Sequence, residues 1–150
     1  AEHRTTVELL AVCEDHLVAE AVGADASTEE QALLERYLNA TQDADAEAFI
    51  EMMREDARFS MPPEPGAWVG RRTIVEYWSP AFDSEGFGRV RGVVTRANRQ
   101  PALACYLMPP GESEYRPMAL DVIRIEEGRV AEIVTFPPAV FPSFGLPAKL

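Results

Sequence analysis

One carboxylate of the sequence, Asp121, is placed where an acid could act inside an apolar pocket. It lies in "ALDVIRI", where the two-residue period of a strand puts it on the same face as Ala119, Ile123 and Ile125. Burial on an apolar face disfavours a charged carboxylate and raises its pKa, which suits it to donate a hydrogen bond or act as an acid. The alternative is an aspartate near a sheet edge that is solvated or paired with an arginine such as Arg96. The sequence leaves both interpretations open.

The stretch "DARFSMPPEPGAW", residues 56–68, is typical of the rim of a cavity. A strand that stops at a Pro-Pro pair beside Trp68 would end at such a mouth, with Met61 at its tip. Methionine can neither take nor give a proton, and strand alternation turns the neighbouring Ser60 to the opposite face. The stretch therefore frames either an active site without its acid or a pocket that only binds.

The elements that must position these residues divide the chain into a helical front and a strand-rich rear. All twelve prolines lie at or after Pro62, and eight of the nine glycines lie at or after Gly66. This asymmetry predicts an α+β fold. Apolar residues at helical spacing over residues 5–22 predict an N-terminal helix, so we expect a helix and linker over 1–26 and one domain over 27–150.

Three helices are predicted within residues 27–150. Ser27, followed by Glu30 three residues later, predicts the start of "STEEQALLERYLNATQDAD" by a capping box. Asp45 is the expected cap of "AEAFIEMMRED", and a short helix begins near Gly70 and ends before Pro80.

Four strands follow: "GRVRGVVTRA", "PALACYLM", "YRPMALDVIRIE" and "RVAEIVTF". The last two flank "EEGR", where Gly128 tolerates positive φ, and "ANRQ" is a weaker turn between the first two. The tail "PPAVFPSFGLPAKL" is too rich in proline for a central strand. We expect it to wrap the surface through Phe141, Phe144 and Leu146.

A curved, mostly antiparallel sheet around helices makes a cone, whose interior is either filled or open. The available aromatic side chains carry polar groups, whereas a filled core would favour Leu, Ile and Phe. With Asp121, the residues predicted to line a ligand-binding pocket are Tyr37, Met61, Trp68, Tyr77, Trp78 and Tyr106.

Composition excludes several classes of function. A net charge of −11 argues against a nucleic-acid-binding surface or an anionic membrane partner, and no apolar run approaches the ~20 residues that span a bilayer. Cys13 and Cys105 lie far apart in the sequence and form no CxxC motif. Two cysteines without a disulfide framework are typical of proteins in the reducing cytoplasm. His3 and His16 belong to no zinc-ligand pattern, so we expect neither metal nor cofactor.

Two long segments, "LLERYLNATQDADAEAFIEMMREDARFSMPPEPGAWVGRRTIVEYW" and "ALDVIRIEEGRVAEIVTF", resemble the SnoaL-like branch of the nuclear transport factor 2-like superfamily. The resemblance covers roughly residues 28–137. It implies the cone fold inferred above, with about three helices on the sheet. The superfamily includes polyketide cyclases, ketosteroid isomerases and limonene epoxide hydrolases, and its exposed sheet face commonly pairs, so a homodimer is a further expectation.

A narrower resemblance rests on "TRANRQPALACY", "EIVTF" and the ending "FPSFGLPAKL". These are similar to the C-terminal SnoaL-like domain of the sigma-G-like group of actinobacterial extracytoplasmic-function sigma factors. The usual "ANGQPA" of that group reads "ANRQPA" here, with Arg99 in place of glycine. The resemblance implies a regulatory domain that contacts sigma regions or RNA polymerase and tunes transcription initiation.

The resemblance also locates the isomerase residues in this sequence. The oxyanion-binding tyrosine of ketosteroid isomerases falls on Tyr37 and their protonated aspartate on Asp121, but their general base falls on Met61. Methionine cannot abstract a proton, so isomerase chemistry of that type is excluded. Two readings remain: a pocket that binds a small apolar ligand, and a free-standing cyclase or isomerase-type enzyme with Asp121 as its acid.

Overall fold

The computed structural model describes residues 27–150, which form three α-helices, six strands and two 3-10 helices. The elements in chain order are α1 (Thr28–Asp43), α2 (Ala46–Met52), β1 (Met53–Ser60), β2 (Trp68–Val69), α3 (Arg71–Trp78), a 3-10 helix (Ser79–Phe82), β3 (Arg89–Ala97), β4 (Gln100–Met108), β5 (Arg116–Glu126), β6 (Arg129–Phe136) and a second 3-10 helix (Pro138–Phe144). The helix and linker predicted over 1–26, with Cys13 and both histidines, lie outside the described residues.

Both predicted helix starts are confirmed by side-chain caps. The Ser27 hydroxyl accepts a hydrogen bond from the backbone N–H of Glu30 at 3.1 Å, and Asp45 accepts one from the backbone N–H of Ala48 at 3.1 Å. Each bond satisfies an N–H that has no partner within the helix. Between them, Ala44 adopts a left-handed conformation with φ of 53° and ends α1.

The prediction that the second of these helices continues through Asp56 is wrong. Helix α2 ends at Met52, and β1 begins at the next residue. Strand β1 runs parallel to β6, with Met53 opposite Val130, and Met53 is completely buried. Pairing with a neighbouring strand and burial together outweigh the helical propensity of "MRED", which is a weak preference.

The six strands form one sheet in the order β2-β1-β6-β5-β4-β3. Only the β1–β6 pair is parallel, so the predicted α+β class and mostly antiparallel sheet are confirmed. Both predicted hairpins have two-residue loops, Asn98-Arg99 and Glu127-Gly128, and all four residues have positive φ. Positive φ at both loop positions is the requirement of a type I′ turn. Arg99 therefore occupies the left-handed position that glycine fills more easily.

The two faces of the sheet are covered differently. The inner face packs against α1, α2 and α3 through a buried cluster that includes Leu33, Phe49, Met52, Ile74, Leu103 and Ile133. The outer face packs against the tail segment, residues 137–150, in a second cluster that includes Ala102, Ala104, Leu120, Val122, Val140, Phe141 and Phe144. The expected role of Phe141 and Phe144 in the tail is thus confirmed, and the surface that they wrap is the outer face.

Candidate functional site

A cavity of about 690 Å³ opens between the inner face of the sheet and the helices. Volumes of this size are typical of small-molecule sites. Its wall is formed mainly by apolar and aromatic side chains from every layer of the fold. The residues that carry polar groups into it include Tyr37, Thr41, Glu64, Tyr77, Trp78, Cys105, Asp121 and Thr135.

Asp121 lies in this wall and is held by donors from three different elements. The Tyr37 hydroxyl of α1 donates to Oδ2 at 2.9 Å, and the Thr135 hydroxyl of β6 donates to Oδ1 at 2.7 Å. The Cys105 thiol of β4 lies 3.8 Å from Oδ2. Asp121 is half-buried, and the cavity reaches it. The predicted inward face of Asp121 is therefore correct, and the partners of its carboxyl group are neutral.

Opposing effects act on the protonation of Asp121. Burial raises the pKa of its carboxyl group, while the hydrogen bonds from Thr135, Tyr37 and Cys105 lower it, and burial is the larger effect. Burial, together with the nearby Asp121 charge, raises the pKa of Tyr37 and of Cys105 well above their ordinary values. Both groups therefore stay protonated at neutral pH and act as donors to the carboxyl group.

Thr135, which the sequence analysis missed, faces Asp121 because of a bulge in β6. Ile125 pairs with Val130, but Arg124 pairs with Glu132, so Ala131 is an extra residue. Without it, counting back from the turn would place Val134 opposite Asp121. With it, Asp121 pairs with Thr135. The shared face of Ile133 and Thr135, two residues apart, was the signal that could have identified Thr135.

Aromatic rings in edge-on contact build the wall next to Asp121. The ring of Phe49 lies 5.1 Å from that of Tyr37, at 84°, and 5.4 Å from that of Trp78, at 76°. Phe59 continues the series, with its ring 5.2 Å from Trp78 at 86°. Edge-to-face pairs of this kind add attraction beyond the burial of their surface. The wall is consequently fixed by ring-to-ring contacts as well as by the helices.

The stretch that follows β1 forms the rim, as the sequence predicted. Phe59, Met61, Pro62, Pro63 and Glu64 all line the cavity. Met61 stands at the strand tip without a proton-transfer group, whereas Glu64 brings a second, exposed carboxylate to the rim. Glu64 was not predicted from the sequence, because it lies beyond the proline pair, where strand alternation no longer predicts side-chain direction.

Five of the seven predicted lining residues meet in the cavity: Tyr37, Met61, Tyr77, Trp78 and Asp121. Trp68 is not in the wall; it stacks against Tyr77, with ring centroids 4.1 Å apart. The placement of Tyr106 was wrong. Tyr106 points to the outer face, where its hydroxyl donates to the carbonyl of Pro147 at 2.7 Å. Successive side chains of a strand point to opposite faces of the sheet. Because Leu103 and Cys105 of β4 face the helices, Tyr106 faces the outer side with Ala102 and Ala104.

The polar groups of the cavity offer hydrogen bonding and negative charge. Across residues 27–150, no group of three or more His, Cys, Asp or Glu side chains is placed to hold a metal ion. Over the same residues, no helix is long and apolar enough to cross a membrane. The cavity presents one carboxyl group in a cluster of neutral donors, a second carboxylate at the rim and an aromatic wall.

Residues 34–133 match the SnoaL-like domain family. The chain belongs to this family. The chain is 34% identical over 133 residues to "ECF RNA polymerase sigma factor SigG" of Mycobacterium tuberculosis. That match covers 88% of this chain and 35% of the relative, so the chain spans about a third of the length of the curated relative.

Solved structures show that the fold is the nuclear transport factor 2-like α+β fold, as predicted. An NTF2-like protein of unknown function from Mesorhizobium loti superimposes with a TM-score of 0.58 at 17% identity, covering 75% of this chain and 93% of that chain. Another, from Burkholderia xenovorans, has a TM-score of 0.57 at 13% identity, covering 71% and 80%. At these identities the likeness concerns the fold alone.

Proposed function

We propose that this SnoaL-like domain is the C-terminal regulatory domain of an extracytoplasmic-function sigma factor and modulates transcription initiation in the cytoplasm. The observation that carries the proposal is the 34% identity to the sigma factor of Mycobacterium tuberculosis over 88% of the chain. The net charge of −11 supports sigma regions or RNA polymerase as partners, since basic surfaces attract an acidic domain. The same charge opposes direct contact with nucleic acid.

Two experiments test the regulatory role. The reading frame upstream of Ala1 should encode sigma regions, whereas a start codon directly before Ala1 would contradict the proposal. In transcription with purified polymerase, the full-length protein and a form without residues 27–150 should initiate at different rates. Equal rates, with the truncated form folded, would contradict a regulatory role.

We further propose that the cavity binds a small apolar ligand. Its volume of about 690 Å³, its aromatic wall and its few convergent polar groups support binding. Hydrophobic ligands should raise the melting temperature of the wild-type domain, and Asp121→Ala and Trp78→Ala should reduce this effect. Val94→Ala is the control, because Val94 of β3 is exposed and does not line the cavity. If Val94→Ala reduced ligand stabilisation as much as Trp78→Ala, the cavity would not be the binding site.

The alternative function is that of a cyclase or isomerase-type enzyme with Asp121 as its acid. One observation favours it: burial raises the pKa of Asp121 in a cavity that a substrate can enter. Turnover of a polycyclic substrate should then be lost in Asp121→Asn, which keeps the shape of the side chain but cannot supply the proton. Turnover that survives this substitution excludes Asp121 as the acid.

A further inference from the structure

The wall of the cavity carries negative charge and no positive charge. Among the described residues that line it, Asp121 and Glu64 are the two carboxyl groups, and there is no lysine, arginine or histidine. Arginines of residues 27–150 form ion pairs outside the cavity, for example Arg54 with Asp56 and Arg71 with Glu55. The cavity therefore has a charge that a ligand could neutralise.

The hydrogen-bond geometry around Asp121 fits a carboxylate that lacks a counter-ion. The Thr135 hydroxyl donates to Oδ1 at 2.7 Å. Tyr37 donates to the other oxygen, and both hydroxyls are neutral. An ionised carboxylate only accepts hydrogen bonds, so two hydroxyl donors satisfy oxygen atoms without cancelling the charge. One side of the carboxyl group remains open to the cavity.

The aromatic wall can also attract a cation wherever a ring presents its face to the cavity. The rings of Tyr37, Phe49, Phe59 and Trp78 lie in a continuous series along the cavity. The faces of aromatic rings attract ammonium groups, and the attraction strengthens when water is excluded. The same rings supply apolar surface for a hydrophobic body.

We propose that the ligand of this cavity is an apolar amine, a hydrophobic molecule whose single protonated amino group pairs with the Asp121 carboxylate. The inference rests on the ligand-binding part of the proposed function and names the chemical class of the ligand. A neutral alcohol of the same shape would fill the cavity but leave the carboxylate charge uncompensated. An anionic molecule of the same shape would meet repulsion from Asp121 and Glu64.

Three probes with one apolar body separate these cases: 1-adamantanemethylamine, 1-adamantanemethanol and 1-adamantaneacetic acid. Isothermal titration of the whole chain at neutral pH should show the amine binding at least about tenfold more tightly than the alcohol, a difference typical of one charge-assisted contact. The acid should bind more weakly than the alcohol. If the alcohol binds as tightly as the amine, the assignment of the ligand as an amine is overturned, but the proposal that the cavity binds a small apolar ligand is still supported. If none of the three binds, the ligand-binding proposal fails and the amine assignment with it.

Asp121→Asn removes the charge and keeps the side-chain shape, so the preference for the amine should disappear while the alcohol still binds. Glu35→Gln, an exposed glutamate of α1 outside the cavity, is the matched control and should keep the full preference. A preference for the amine that survives in a folded Asp121→Asn protein overturns the assignment.

A pH series on the wild-type protein tests the same pairing without any substitution. The titratable groups that contact Asp121 are Tyr37 from α1 and Cys105 from β4, and Glu64 and Tyr77 also line the cavity. Tyr37 and Cys105 stay neutral through the acid range, because burial raises the pKa of both. Amine affinity should fall as acid protonates Asp121, while alcohol affinity stays constant. The fall in amine affinity should persist in Glu64→Gln; if it disappeared in this variant, the charge would be assigned to Glu64 instead.

Discussion

Replacing Tyr37 with phenylalanine tests whether the buried hydroxyl stabilises an ionised Asp121. The substitution removes the 2.9 Å hydrogen bond to Oδ2 and keeps the ring, which contacts Phe49 edge-on. Tyr37 is only 1% exposed, so solvent cannot simply replace its hydroxyl. A hydrogen bond to a charged acceptor contributes about 1.5–3 kcal/mol. Because the cavity lets water approach Asp121 from its other side, we expect a loss near the lower value, about 1.5 kcal/mol at neutral pH.

The loss of unfolding free energy in Tyr37→Phe should increase as the pH rises. Burial already raises the pKa of Asp121 above the unfolded value, so the folded state holds this proton more tightly, and its stability falls as pH rises from the unfolded pKa through the folded pKa. Removing the Tyr37 hydroxyl raises the folded pKa further, because that hydrogen bond lowers it. The difference in stability between variant and wild type should therefore grow between the two folded pKa values. Each unit by which they differ corresponds to about 1.36 kcal/mol.

Urea unfolding at a series of pH values measures this difference, and carbon NMR of the Asp121 carboxyl group measures the two pKa values independently. Tyr77→Phe is the matched control, because Tyr77 is 44% exposed, and we expect a change within about 0.5 kcal/mol. A Tyr37→Phe loss that is the same at every pH would refute the reasoning, since the hydroxyl would then not distinguish the charged from the neutral carboxyl group.

Three further substitutions test other parts of the structure. Thr135→Val keeps the shape of the side chain but removes the 2.7 Å bond to Asp121, and should lower the free energy of unfolding by about 1.5–3 kcal/mol at neutral pH. Phe141→Ala empties the centre of the outer cluster and should cost about 3–5 kcal/mol in urea unfolding, with increased binding of a hydrophobic dye. Gly88→Ala should destabilise by more than Gly66→Ala in thermal unfolding, because both residues have positive φ but only at Gly88 would a Cβ meet backbone atoms, the nearest at 2.4 Å.

Each of these expectations has a clear contrary result. A Thr135→Val loss of equal size in the Asp121→Asn background would show that the hydroxyl does not act through the carboxylate. A Phe141→Ala protein as stable as wild type would mean that the tail segment does not hold the outer face. Equal melting temperatures for the two glycine variants would show that the close approach at Gly88 is relieved without cost.

The local signals in the sequence were sufficient for most of the fold. Ser27 and Asp45 act as caps because their side chains satisfy nearby backbone N–H groups. Each hairpin loop contains one residue that readily accepts positive φ, Asn98 in the first and Gly128 in the second. These interactions involve residues within a few positions of one another, so a single sequence contains everything that determines them.

The features that the sequence did not reveal depend on contacts between distant segments. Helix α2 ends at Met52 because β1 pairs with β6, about eighty residues away. Thr135 lies opposite Asp121 because Ala131 is an extra residue in β6, and no local sequence pattern predicts a bulge at Ala131. Tyr37 and Asp121 were each predicted to line the pocket, but their hydrogen bond was not predicted, since 84 residues separate them in the chain.

The tail segment determines which surfaces of the domain a partner can use. The family match ends at residue 133, before Thr135 and before the residues that cover the outer face. The tail is covalently attached, so its effective concentration at that face is on the order of millimolar. A second copy that pairs through the outer face must displace a competitor present at this concentration. The expected homodimer, when formed through the outer face, therefore depends on release of the tail. Among residues 27–150, the helical side and the rim are surfaces that the tail does not cover.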